Sequence, residues 1–318
     1  MSAPDTVRGQ SLWADSFRRF KKDKVGVACF FVMCAYFLVA LVSSVEIFGA
    51  PEASHPDFAR RPPSFSAPDV SDEHPEDGAA EASDTPPASL LFLGTDIAGK
   101  SVLARVVGGT GIAIALGFFT ALLSTAIGGI LGALSGWFGR SVDSFVVWLY
   151  STVSSIPSLV LIMSIAYVFR QQFGAEKAFL GVFLAMGLTY WVGTCRVIRA
   201  EFMKLKQRDY VLAAEALGIP RERIMFAHVM PNASHLLIIM ASLIFVEAIK
   251  SEVVLSFLGV GLQGKPSWGV MIQDAETELT KGYWWQMTFT SIALFGIVLA
   301  FQVFGDSLRD ALDPRLRT

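Results

Sequence analysis

Charged side chains are scarce in this 318-residue chain and very unevenly placed. They make up 17% of it, against 53% hydrophobic residues. None falls between Arg105 and Arg140, from Ser144 to Phe169, or from Gly282 to Gly305. With a mean hydropathy of +0.51, such runs exclude a soluble domain of this length and fit a polytopic membrane protein. Cysteine is nearly absent too. Cys29, Cys34 and Cys195 lie in or beside apolar runs with no C-x-x-C pair, which excludes a disulfide framework and leaves small packing residues. The four histidines (His55, His74, His228 and His235) lack the spacing of a metal site. A net charge of −2 provides no basic excess for nucleic acid.

What is present is long apolar sequence. About 20 apolar residues cross roughly 30 Å of hydrocarbon, and six segments supply them, at about 25–48, 108–136, 143–169, 178–195, 233–258 and 284–304. The expected fold is therefore all-α, with about six transmembrane helices. Direction follows from basic residues near the span ends. Residues 1–24 hold six Lys or Arg, segment 196–231 holds seven, and the tail adds Arg309, Arg315 and Arg317. These three regions all fall on one side of a six-span topology, so both termini are expected in the cytoplasm and the first span is expected to be a retained anchor. The outer loop 49–89 carries nine acidic residues and eight of the fourteen prolines, a composition for an extended, solvated tether. The division expected is a cytoplasmic segment 1–24, a first span 25–48, an outer region 49–107, a five-span core 108–304 and a tail 305–318.

Residues 93–107 read "LGTDIAGKSVLARVV", in which Gly94, Gly99, Lys100 and Ser101 satisfy the phosphate-loop pattern G-x-x-x-x-G-K-[ST]. Topology puts this stretch outside, away from ATP, and the rest of the chain leaves no strands for the sheet such a loop requires. The expectation is a tight glycine turn in which Asp96 caps a helix starting near Lys100, and no nucleotide site.

The inner segment 196–232 reads "RVIRAEFMKLKQRDYVLAAEALGIPRERIMFAHVMPN". Arg196 to Leu217 predicts one helix, Gly218 the left-handed residue that closes it, and Pro220 the first turn of the next. Pro231 ends that second helix or opens the following span. Ala213, Ala214 and Ala216 expose a close-packing surface on this elbow. It suits either docking into another protein or resting on lipid headgroups.

Leu212–Pro231 resembles the "EAA" loop of ABC-importer permeases, with Ala213, Ala214, Gly218 and Pro231 in register. Leu212, His228 and Met230 replace that pattern's Glu, Ile and Leu. "DYVLAAEALG" followed by "RIMFAHVMPNA" is similar to the version in dipeptide/oligopeptide (DppC/OppC-like) permeases. "LGTDIAGKSVLARVVGGT" resembles the same family's outer signature, in which Lys100 and Ser101 stand for Arg-Asp. Gly111 stands for its usual Arg. "SEVVLSFLGVGLQGKPSWGVMI" and "GDSLRDALDPRLR" resemble two further signatures. The resemblance covers about residues 11–318 apart from the proline-rich loop, and four ordered motifs make it specific.

The resemblance implies an ABC type I importer permease fold in the cytoplasmic (inner) membrane, surrounded by lipid. The implied partners are a homologous second permease, two cytoplasmic ATPase subunits and an extracytoplasmic solute-binding protein. ATP would be bound and hydrolysed by those partners, which leaves this chain no catalytic residue, cofactor or metal. The ATPase-coupling surface would comprise Tyr210, Ala213, Ala214, Glu215, Gly218, Ile219, Arg221 and Arg223. Within the fifth span, Glu247 and Lys250 are three apart and can pair on one helix face. With Glu252 they are candidates to line the pore, against a reading as a neutralised pair and an interfacial carboxylate. Gly128, Gly132 and Gly136 predict a helix-packing ridge, and Trp268, Trp284 and Trp285 an interfacial belt. The main rival is an ion-gradient-driven secondary transporter. It would want buried carboxylates and discontinuous helices near the bilayer midplane, commonly in an internal repeat. Spans one to four and six hold no buried ionisable residue, and no repeat is visible.

Overall fold

The computed structural model describes residues 20–47, 59–64, 92–262 and 264–312. Most of the acidic loop 49–89, residues 1–19 and the end of the tail lie outside that set. Among the described residues the architecture is all-α, apart from an isolated bridge between Thr95 and Ser101. In chain order the helices are α1 (Lys24–Ile47), α2 (Val102–Phe138), α3 (Arg140–Ser154), α4 (Ser158–Phe173) and α5 (Ala178–Leu205). They continue with α6 (Asp209–Ala216), the single turn α7 (Arg221–Ile224), α8 (Met230–Phe257), α9 (Trp268–Leu279) and α10 (Trp285–Leu312). Four segments among the described residues are long and apolar enough to cross a membrane: Lys24–Ser43, Val102–Phe138, Ala175–Leu205 and Trp285–Ala311. The bent pair α3 and α4 makes a fifth if the two helices count as one broken span. The expected span at 233–258 forms one continuous 28-residue helix, α8. The protein is an all-α polytopic membrane protein.

Three sequence expectations are corrected. The third span, 143–169, is not straight: α3 and α4 meet at an angle of 84°. The break falls at Ser155–Pro157, because proline lacks an N–H and pushes the residue before it out of helical geometry. The fourth span is not short, and Arg196–Leu217 is not one helix. Residues 196–205 extend α5, the chain turns at Lys206–Arg208, and α6 begins at Asp209.

The core is built on the α2–α5 seam, where the expected glycine ridge operates. A Cβ on Gly132 would lie 2.6 Å from the Cys195 carbonyl oxygen, and one on Gly136 2.6 Å from that of Arg199. Only hydrogen fits between backbones this close, which is the physical reason for small residues one helical turn apart. Around the seam, Phe245 of α8 stacks on Phe301 of α10 with ring centroids 4.0 Å apart. The Tyr36 hydroxyl of α1 donates to the Ala293 carbonyl of α10 at 2.9 Å.

With 37 residues, α2 is about 55 Å long and sorts the polar residues into two ends. At its start lie Gly94–Ser101, Arg105 and the beginnings of α9 and α10. At its finish the Trp137 carbonyl accepts from Lys206 Nζ at 2.7 Å. There Arg199 also grips Asp143 through both carboxylate oxygens, at 2.6 and 2.8 Å. The glycine turn and the elbow therefore sit at opposite ends of the molecule.

Candidate functional site

At the elbow, α6 ends at a left-handed glycine. Gly218 has φ +75°, its N–H reaches the Glu215 carbonyl at 3.0 Å, and the Ile219 N–H reaches back to Ala214 at 3.2 Å. These two bonds satisfy carbonyls that the helix end leaves open. Pro220 then starts α7 as expected. Pro231 begins the next span rather than ending the second helix. Having no N–H, it leaves the helix ahead of it short of a donor, and residues 225–229 widen into a π turn that runs directly into α8.

The elbow has an inner and an outer face. Val211, Ala214, Ile224 and Met225 are buried together with Phe202, Ala133 and Trp137, and Ile219 packs against them. Ala214 thus serves the chain's own core, which corrects the expectation of three alanines on one exposed surface. Ala213, Ala216 and Gly218 are exposed. With them stand Tyr210 and Leu212, and Leu217 is 80% exposed. Sequence reasoning missed Leu212 and Leu217, whose apolar character gave no sign of which way they point. The Tyr210 hydroxyl accepts from Asn232 at 3.3 Å. Arg221 lies 3.4 Å from Glu215, bracing the turn, and Arg223 is exposed.

At the opposite end, the phosphate-loop look-alike is a turn folded around one carboxylate. Gly94 and Gly99 both take positive φ. Asp96 Oδ1 accepts the Ala98 and Lys100 amides, each at 2.8 Å, and the Asp96 carbonyl accepts the Gly99 amide. These amides, which a phosphate would need, are already engaged. Asp96 does not cap the following helix. That position belongs to Ser101, whose Oγ accepts from Ala104, while Asp96 Oδ2 accepts from Arg105 at 2.6 Å. Arg105 also reaches Asp274 of α9 at 2.9 Å. Beside this cluster Glu278 is buried. Loss of hydration, and then the neighbouring Asp96 carboxylate, hold its carboxyl above the usual range.

Trp268 and Trp285 are buried here, and only Trp284 is exposed. The two buried indoles donate to the Val106 carbonyl at 3.0 Å and the Thr95 carbonyl at 2.9 Å. They are packing residues rather than parts of a lipid-facing belt, a second correction at this end.

The three ionisable residues of α8 separate. Glu247 and Lys250 pair at 2.6 Å with each side chain about half exposed (50% and 49%). Hydrocarbon would charge each about 3 kcal/mol, so this face needs water or protein against it. Glu252 lies on the other side of the helix and is 1% exposed. One of its oxygens accepts from both Ser256 (2.7 Å) and Ser267 (2.5 Å), tying α8 to the start of α9. Its expected place on a pore surface is corrected to this buried bracket.

Residues 128–318 match the family described as "binding-protein-dependent transport system inner membrane component". The chain belongs to this family. Residues 11–63 additionally match the N-terminal TM domain of oligopeptide transport permease C. The oligopeptide transport system permease protein OppC of Bacillus subtilis is 31% identical over 96% of this chain and 91% of its own length. The dipeptide transport system permease protein DppC of the same organism is 29% identical over 98% and 89%. OppC of Mycobacterium tuberculosis reaches 35% over 73% and 79%. The chain is thus a multi-pass membrane component of this family, and its elbow and the Glu247–Lys250 face of α8 are exposed among the described residues.

Proposed function

We propose that this chain is a permease subunit of an ATP-driven importer in the cytoplasmic membrane and passes dipeptides or oligopeptides inward. Residues 108–304 form its core, and both termini are cytoplasmic. A homologous second permease completes the pore, two cytoplasmic ATPases bind and hydrolyse ATP, and an extracytoplasmic solute-binding protein delivers the peptide. The chain itself performs no chemistry and holds no cofactor. The names of its relatives support the peptide class.

The observation that carries the reading is the elbow's outward apolar face. Tyr210, Leu212, Ala213 and Leu217 form a patch outside the apolar spans, and its natural cover is a groove in an ATPase. Gly218 holds the angle between α6 and α7, Glu215 and Arg221 stiffen it, and Arg223 offers a charged contact. Ala214 and Ile219 anchor the elbow to the seam beneath, so a push on the elbow moves α5 and α8 together. Gly218→Asp tests this. No neighbour obstructs an added Cβ, so the complex should still assemble, but the left-handed backbone disfavours a side chain by about 1 kcal/mol. ATP hydrolysis should persist in reconstituted vesicles while uptake falls about tenfold or more. Uptake at the wild-type rate would refute the role.

A further inference from the structure

The outward face of α8 is narrow and regular. Leu243, Glu247, Lys250, Val254 and Phe257 are exposed at spacings of four, three, four and three residues. Every position from Ile244 to Ser256 outside this stripe is buried. From Ile244 to Ser256 the helix is therefore covered by its own chain on all sides but one, and the opposed charges sit in the middle of the open side. They border a cleft of about 360 Å³ that Thr189, Tyr190, Met240 and Gln302 also line, a size at the small end for ligand sites. The Tyr190 hydroxyl is occupied by Ser251 at 2.6 Å and Thr189 by the Ala185 carbonyl. The polar groups the cleft offers a visitor are thus the Glu247 carboxylate, the Lys250 ammonium and the exposed Gln302 amide.

Resting on the importer reading above, we infer that this cleft is a transit subsite for the charged ends of a short zwitterionic peptide. Glu247 takes the peptide's ammonium, Lys250 its carboxylate and Gln302 its amide group. The chemistry is an exchange of partners. Empty, the two side chains neutralise each other. Occupied, each holds one terminus, and the site's net charge is zero in both states. A zwitterion can therefore cross this stretch of the span without leaving any charge unpaired, which is the condition that a low-dielectric passage imposes. A peptide with a blocked amino terminus would open the pair and leave Glu247 without a cation.

The test uses the complete importer in proteoliposomes with Ala-Ala and N-acetyl-Ala-Ala as probes. Neutralising both charges (Glu247→Gln with Lys250→Gln) should raise the KM for Ala-Ala about tenfold and erase the preference over the acetylated form. The swap Glu247→Lys with Lys250→Glu keeps an ion pair at the same spacing but reverses its polarity relative to the path. It should yield recoverable complex and fail to restore Ala-Ala uptake. Restoration by the swap, or an unchanged KM in the neutral variant, would overturn the inference. A wild-type complex that imports neither probe nor the longer peptides trialanine and pentaalanine would overturn the importer reading itself, so the two failures are distinguishable.

Discussion

Replacing Gly132 with alanine isolates the energetics of the α2–α5 seam, and Gly193 provides the control. An alanine Cβ at 132 would sit 2.6 Å from the Cys195 carbonyl oxygen, 3.0 Å from Ile198 Cβ and 3.1 Å from the Arg199 nitrogen. Ordinary contact begins near 3.4 Å, so the helices must part by roughly 0.8 Å, the difference between 3.4 and 2.6. Backbone atoms cannot rotate aside as a side-chain tip can. Gly128 and Gly136 hold the same seam one turn above and below, so the displacement cannot stay local. Overpacking of this kind costs about 1–3 kcal/mol, against up to about 1 kcal/mol gained by removing a helix-interior glycine. The net expectation is a loss of about 1–2 kcal/mol, or about 1.5–3 °C in Tm for a chain of this size. At Gly193 the nearest atom to an added Cβ is the end of Met240, at 3.7 Å. Gly193→Ala should keep the propensity gain and match or exceed the wild-type Tm. Thermal unfolding of the purified protein in detergent, with Cys29 and Cys34 replaced by serine in every variant so that thiol-reactive fluorescence reports buried Cys195 alone, reads both. Equal shifts for the two variants would refute the reasoning, because propensity alone would then explain them.

Two further outcomes follow from the end that holds the glycine turn. Glu252→Ala strands the Ser256 and Ser267 hydroxyls and should cost about 3 kcal/mol, while Glu252→Gln retains an acceptor and should cost about 1 kcal/mol; the same melting assay separates them. Glu278 has a folded-state pKa raised by burial and by Asp96, so its protonated form favours the native state. Its contribution is full below the unfolded value near 4.5 and is lost as pH rises through the raised folded value. Glu278→Gln should therefore raise Tm on the alkaline side of that window and leave it unchanged on the acid side. A uniform shift across pH would count against the assignment.

The linear sequence carries everything that depends on composition along the chain. Charge-free runs mark the spans because hydrocarbon rejects charge wherever it occurs in a helix. Gly218 and Pro220 mark the elbow because backbone dihedral limits belong to the residue itself. Gly128, Gly132 and Gly136 mark the seam because closeness needs small residues at one-turn spacing. Direction is another matter. Glu252 and Glu247 look alike in sequence, yet one is enclosed by two serine hydroxyls and the other stands on an open stripe. Trp285 looks like a lipid-interface residue until its indole meets the Thr95 carbonyl, 190 residues away. Ala214 and Ala213 are neighbours with opposite fates, decided by Trp137 and Phe202 beneath them. Even the phosphate-loop pattern was settled by tertiary contact, since Asp96 takes up the amides and Arg105 and Asp274 hold the turn in place. A side chain's polarity is local, but what it faces is set by segments far away in the chain. Only the packed helices decide that.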